Sequence, residues 1–359
     1  MIPGPVSTPP QVLAAMQADY PSGDVEPAFF DLYEATAAGL AGLMGTRNDV
    51  VIMTGEGMLV LWAALKSCLK AGDRVLAVAN GIFGEGLGDM AAGLGCEVRK
   101  LRLPHNQSLG DNGELEALAD DFAPDMITAV HCETPSGTLN PLELLGRVAR
   151  RRKCLLCVDA VSSIGGMEVL SDACSVDLLL GSAQKCLSAP PSMSFLSVSP
   201  AAWERVERTG YQGYDALAPW RGARGEYGLP YTPYWHGMAA LHAAVELIAK
   251  EGTANVFARH EQVARQCREG LQELGIRLWP APGSLLAPTV SVAHLPDAFD
   301  WKSWNARLRT KGLAVGGGFD TMNGKIFRIG HMGTQANAQR MQDCLARIRA
   351  ALQTDKIYS

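Results

Sequence analysis

Lys185 sits in the run Gly181-Ser182-Ala183-Gln184-Lys185-Cys186-Leu187-Ser188, directly after an apolar, strand-like stretch at 176–180. Its small neighbours leave room around the amine, a setting suited to an amine that condenses with a carbonyl to form a Schiff base. Upstream, Asp159 closes the apolar run Cys154-Leu155-Leu156-Cys157-Val158. A carboxylate and an amine therefore both stand at the ends of strand-like runs, and in a parallel sheet the carboxyl ends of neighbouring strands form the ligand crevice. An Asp that protonates a pyridine nitrogen, with a Lys that holds an aldehyde as an imine, is what a pyridoxal-type cofactor requires of its protein.

The elements that must position these two residues alternate between strand and helix character. Residues 50–53 lead into a helical pattern at 58–70, 74–79 into 84–94, and 126–131 into 142–153, followed by strand-like runs at 154–158 and 178–180. Such alternation implies an α/β fold, a mostly parallel sheet with helices on both faces. Beyond Trp203 it gives way to a stretch rich in Gly, Pro, Arg and Tyr at 210–233, and then to one long helical pattern at 238–274. Strand signals at 289–292 and 325–329 and an amphipathic helical pattern at 336–352 form a smaller α/β unit. The expected division is a large domain over residues 1–250, including the N-terminal segment, and a small C-terminal domain over 251–359.

Composition narrows the function classes. A chain of 359 residues, 47% hydrophobic, buries a large core, and its length favours two domains. The net charge of -5 argues against a nucleic-acid or anionic-membrane surface. No apolar run approaches the roughly 20 residues that span a bilayer, and the opening Met1-Ile2-Pro3-Gly4-Pro5 lacks the basic-then-apolar pattern of a secretion signal. Nine cysteines, scattered through apolar segments, read as a reducing cytoplasm. Cys154 and Cys157 lie three apart in a strand-like run and so point to opposite faces, which makes them core residues and not a shared metal or disulfide pair. The seven histidines show no ligand spacing, so no metal is expected. Gly84-x-Gly86-x-Gly88 and Gly316-Gly317-Gly318 complete no dinucleotide fingerprint.

Further segments complete a pattern: Pro3-Gly4-Pro5, Thr54-Gly55-Glu56-Gly57, Asn80-Gly81-Ile82-Phe83-Gly84, Glu133-Thr134-Pro135-Ser136-Gly137, Val158-Asp159-Ala160-Val161-Ser162-Ser163, Gln184-Lys185 and Arg328-Ile329-Gly330. In this order and spacing the chain resembles, over essentially its whole length, the class V, fold-type-I pyridoxal-phosphate aminotransferases, close to the alanine-glyoxylate and serine-pyruvate transaminases. The resemblance implies an aminotransferase that moves an amino group from an amino acid to a small 2-oxo acid such as pyruvate or glyoxylate, with pyridoxal 5'-phosphate as cofactor. It also implies a homodimer or dimer of dimers.

It further implies a role for each matching residue. Lys185 holds the cofactor and then moves the substrate proton, and Asp159 pairs with the pyridinium. Thr134 bonds near the ring hydroxyl, Phe83 stacks on the ring or serves as a core aromatic, and Arg328 clamps the substrate carboxylate with its fork. Gly57, Val161 and Gln184 line the cofactor site, and Thr232, in Leu229-Pro230-Tyr231-Thr232, reaches the phosphate from the partner subunit.

One departure bears on the cofactor. Glu56 stands where the family carries a small hydroxyl residue, in a strand-to-helix loop whose amides receive the 5'-phosphate. Met58 replaces a frequent histidine, and the tyrosine of the 229–232 element is displaced. The glutamate and the Arg-Ile-Gly-His-Met-Gly ending at 328–333 resemble pyridoxamine-pyruvate transaminase, which uses unphosphorylated pyridoxal and pyridoxamine as substrates; Phe319 and Phe83 depart from that pattern. Glu56 either faces the phosphate or turns outward as a carboxylate at a helix N-terminus. A cysteine desulfurase of the same fold needs histidines where Phe83 and Gln184 stand, and a non-catalytic vitamin B6 sensor needs a fused DNA-binding segment.

Overall fold

The computed structural model describes residues 1–223 and 228–353. The end of the C-terminal expectation, 354–359, and residues 224–227 of the Gly- and Arg-rich stretch lie outside the described residues. The strands, in chain order, are β1 (Asp49–Thr54), β2 (Arg74–Ala79), β3 (Glu97–Arg102), β4 (Met126–Val130), β5 (Cys132–Glu133), β6 (Thr138–Leu139), β7 (Leu155–Asp159), β8 (Leu178–Ser182), β9 (Met193–Val198), β10 (Val290–His294), β11 (Gly316–Gly317) and β12 (Ile326–Gly330).

Seven strands form the large sheet, in the order β1-β9-β8-β7-β4-β2-β3. The pairs β2–β3, β2–β4, β4–β7 and β7–β8 are parallel, whereas β9 runs antiparallel to both β1 and β8. Every residue of β4, β7 and β8 is buried. Unbroken apolar runs of this kind are what strands covered on both faces need. Leu156, Val158 and Leu179 pack into one apolar layer, and Leu155, Cys157, Leu178 and Leu180 into the other. Cys154 packs against the first layer and Cys157 lies in the second, and both are free thiols.

Two strands of the large sheet escaped the sequence reading for physical reasons. The edge strand β3, Glu-Val-Arg-Lys-Leu-Arg, is half-exposed and charged, so it gives no apolar run. The antiparallel β9 follows the lysine loop with no intervening helix. The long helical pattern over 238–274 also needs correction, because it is two helices, Trp235–Glu251 and Thr253–Glu273. They break at Gly252, whose φ of 87° no L-residue adopts comfortably.

The small sheet, in the order β10-β12-β11, is antiparallel. Trp304, Phe327, Ile329, Val263, Cys267, Met341 and Ile348 form its core with the helices Thr253–Glu273, Trp301–Thr310 and Ala338–Leu352. A separate cluster joins Val6 of the N-terminal segment, Cys132 after β4, Cys186 of the lysine loop, and Val290, Val292 and Ile326 of the small sheet. That junction is where the candidate site lies. Among the described residues no helix is long and apolar enough to cross a membrane.

Candidate active site

Asp159 is the last residue of β7 and pairs in register with Leu180 of the parallel neighbour β8. Lys185 follows β8 in a tight loop, closed by Ala189 N–H donating to the Ala183 carbonyl and Ser188 N–H to the Lys185 carbonyl, at 3.0 Å each. The two strand ends carry carboxylate and amine into one pocket of about 150 Å³, lined also by Glu56, Gly57, Met58, Phe83, Cys132, Thr134, Val161, Ser162 and Gln184.

Asp159 is buried, and its Oδ1 accepts from Val161 N–H at 2.9 Å. Burial pushes its carboxyl up to about 6, opposed by that N–H and by the charge of Lys185. Burial likewise lowers the Lys185 amine, with Asp159 opposing and Arg328 reinforcing the shift. The Lys185 Nζ donates to the Pro3 carbonyl at 2.9 Å. Thr134 and Ser162 share a hydrogen bond between their hydroxyls, and Gln184 accepts through Oε1 from Ser182. Phe83 is half-buried, with its side chain at the start of the helix Ile82–Gly93.

The helix Gly57–Cys68 points its N-terminus at this pocket, and Glu56 is its N-cap residue. Glu56 is exposed and makes no capping bond; its carbonyl accepts from Leu59 N–H at 2.9 Å, but its carboxylate forms no hydrogen bond or ion pair with a described residue. A negative charge at the mouth of an anion-receiving helix terminus competes with an anionic ligand there.

Arg328 lies on β12, opposite Gly316 and Val292. Its Nε donates to the Gly317 carbonyl at 2.7 Å, and it forms no ion pair with a described carboxylate. Burial alone pushes its guanidinium down to about 10. Thr232 is not brought to the others within this chain: it is exposed and lines a separate, aromatic pocket with Phe29, Tyr33, Tyr214 and Tyr231.

Sequence reasoning gave no role to Pro3, Ser162 or Glu133. Glu133 is fully buried, and its two carboxylate oxygens accept from Phe83 N–H (3.2 Å) and Gly84 N–H (3.1 Å). Burial pushes it up to about 7. Each of the three lies in a matched segment, so the pattern held the signal, while the role needed the third dimension.

A planar pyridine-type aldehyde fits these residues. Asp159 Oδ2 accepts no hydrogen bond from a described residue, which leaves an acceptor for a protonated ring nitrogen. A primary amine depressed by burial, an aromatic side chain, and the amides at a helix start complete the donor set.

The family model described as Aminotransferase class-V matches residues 2–340. The chain is 31% identical to pyridoxamine–pyruvate transaminase of Mesorhizobium japonicum over 338 residues, 93% of this chain and 86% of that one. It is 30% identical to alanine–glyoxylate aminotransferase of Callithrix jacchus, covering 98% and 86%. The crystal structure of alanine–glyoxylate aminotransferase from Nostoc sp. superposes with a TM-score of 0.93 at 30% identity, over 98% of this chain and 94% of that one.

Proposed function

Because the chain belongs to the class-V aminotransferase family, we propose that it uses pyridoxal 5'-phosphate to move an amino group from an amino acid to a small 2-oxo acid, pyruvate or glyoxylate. The observation that carries this reading is the convergence of Lys185 and Asp159 in one pocket. When bound, the cofactor supplies the aldehyde that accepts the amino group and a ring that stores an electron pair.

This chain's own residues do the rest. Asp159 holds the proton on the ring nitrogen, and its burial keeps water from competing for that bond. Phe83 covers one ring face. Lys185 would hold the cofactor at its aldehyde end, and its amine would carry the proton between the substrate Cα and the C4′ carbon. Burial favours the neutral amine that this transfer needs. Thr134 serves the ring hydroxyl beside Ser162, while Gly57, Val161 and Gln184 shape the walls. Arg328 receives the substrate carboxylate, since a buried guanidinium without an anionic partner is an anion receptor. Addition of pyridoxal phosphate to the protein checks the reading: an absorbance band near the blue edge of the visible should form in wild type and fail in Lys185→Ala. A band and transamination that survive in the variant would overturn it.

A second reading, transamination of unphosphorylated pyridoxamine with pyruvate, is favoured by Glu56 lining the pocket at the helix terminus. Denaturing the purified protein and weighing the released vitamer separates the two. A thiol-based desulfurase mechanism has less support: Cys132 and Cys186, the cysteines nearest Lys185, are buried, with the Cys132 thiol pushed up to about 12 and Cys186 raised further.

The reading extends to organisation. The large domain spans 1–250 and the small one 251–359, and the enzyme works in the cytoplasm as a homodimer or dimer of dimers, in which Thr232 serves the partner's phosphate site.

A further inference from the structure

The loop Gly316-Gly317-Gly318-Phe319 was a glycine cluster without a function, and the structure places it against Arg328. A Cβ on Gly316 would stand 3.2 Å from Arg328 Nη2 and 3.1 Å from the Pro3 ring. Gly317 supplies the carbonyl that takes the Arg328 Nε–H, and the loop then sets the Phe319 ring 4.4 Å from the guanidinium carbon. Arg328 is only 7% exposed, whereas Phe319 is 49% exposed, unusual for an aromatic of this size. One face of the cation is therefore covered by an aromatic that has no core to occupy. Arg328 forms no ion pair with a described carboxylate, and the nearby charge that it does act on is the Lys185 amine.

Resting on the proposed reading of Arg328 as the carboxylate clamp, we infer that Phe319 is the specificity-determining cap of the substrate subsite, selecting 2-oxo acids and amino acids whose side chains are small and uncharged. The ring keeps water from the guanidinium, which strengthens its contact with a single carboxylate. The same ring offers no cation to a second carboxylate, and its electron-rich face repels one. A dicarboxylate would thus bury a charge with no partner. Gly316 lets the loop pass this close to Arg328 and Pro3, while Gly317 clears the Trp301 ring and Gly318 the Met322 carbonyl.

The test compares wild type, Phe319→Ala and Phe319→Arg. Wild type should favour pyruvate over 2-oxoglutarate in kcat/KM by about a hundredfold or more, the cost of an unpaired buried charge. Phe319→Ala should raise the KM for pyruvate roughly tenfold, as expected of a half-exposed cation–aromatic contact, with kcat little changed. Phe319→Arg should narrow the gap between the two acceptors. An independent readout is the rate at which phenylglyoxal modifies Arg328, followed by mass spectrometry. Phe319→Ala should quicken it and pyruvate should slow it. Dicarboxylate preference in wild type, or unchanged pyruvate KM and phenylglyoxal rate in Phe319→Ala, would overturn the inference. Absence of transamination with every acceptor would instead overturn the underlying reading of the site, and the phenylglyoxal rates would still decide whether Phe319 caps Arg328.

Discussion

The Lys185 amine donates to the carbonyl of Pro3 at 2.9 Å, a contact between residues 182 positions apart in the chain. The N-terminal segment that carries Pro3 is tied to both parts of the protein. Val6 N–H donates to the Gln184 carbonyl, Gly330 N–H to the Met1 carbonyl, and Gln335 Nε2 to the Ile2 carbonyl. The Lys185 amine thus rests on a strap that also touches the small sheet, and in the proposed function it would leave that carbonyl to reach an aldehyde.

Gly4 is the strap residue least able to change. Its φ is 77°, and a Cβ there would meet Lys185 Cδ at 2.6 Å. Gly4→Ala should lower stability by about 1 to 2 kcal/mol and slow cofactor uptake, because the lysine stem is displaced. Thermal unfolding and the rise of the absorbance band after mixing with pyridoxal phosphate measure the two effects. Wild-type uptake in the variant would show that the strap does not set the position of Lys185.

Arg328→Ala should raise the KM for pyruvate or glyoxylate by roughly thirty- to a hundredfold, the value of a charge-assisted, two-point contact of about 2 to 3 kcal/mol. Steady-state kinetics with saturating amino donor checks it, and an unchanged KM moves the carboxylate clamp elsewhere.

Glu56→Ser should strengthen binding of pyridoxal phosphate relative to pyridoxal if the carboxylate faces the phosphate. Glu56 is exposed, so water screens the repulsion to about 1 kcal/mol at 4 Å, which is roughly fivefold in affinity. Titration of wild type and variant with both vitamers reads the ratio. Tight wild-type binding of the phosphate form, unaffected by the substitution, would exclude the reading in which unphosphorylated vitamers are the substrates.

Glu133 titrates near neutrality because burial raises it to about 7 from an ordinary 4.5. A carboxyl whose folded value is raised contributes stability that is fully present below its unfolded value and is lost as pH rises through the folded one. Stability of the unliganded protein should therefore decline between about pH 4.5 and pH 7, by on the order of 3 kcal/mol from this group. Glu133→Gln should flatten that part of the curve, measured by denaturant unfolding at a series of pH values. A wild-type slope retained in the variant would assign the titration to another group.

The strand ends were legible because their cause is local. Unbroken apolar runs ending at Asp159 and just before Lys185 describe strands buried on both faces, and a parallel pair of such strands brings its ends together whatever the rest of the chain does. The apolar residues flanking Arg328 marked a buried cation for the same reason. The charged strand β3 was not legible, since an edge strand has one solvated side and no apolar signature. The division of one helical pattern falls at Gly252, whose left-handed φ of 87° ends the first helix before the second begins, and apolar spacing alone does not report a backbone angle. Tertiary structure alone set Pro3 on Lys185, Phe319 over Arg328, Glu133 at the start of the Phe83 helix, and Thr232 away from the pocket of its own chain. Contacts of this kind join segments far apart in sequence, and nothing in the local pattern of either segment encodes the distance between them.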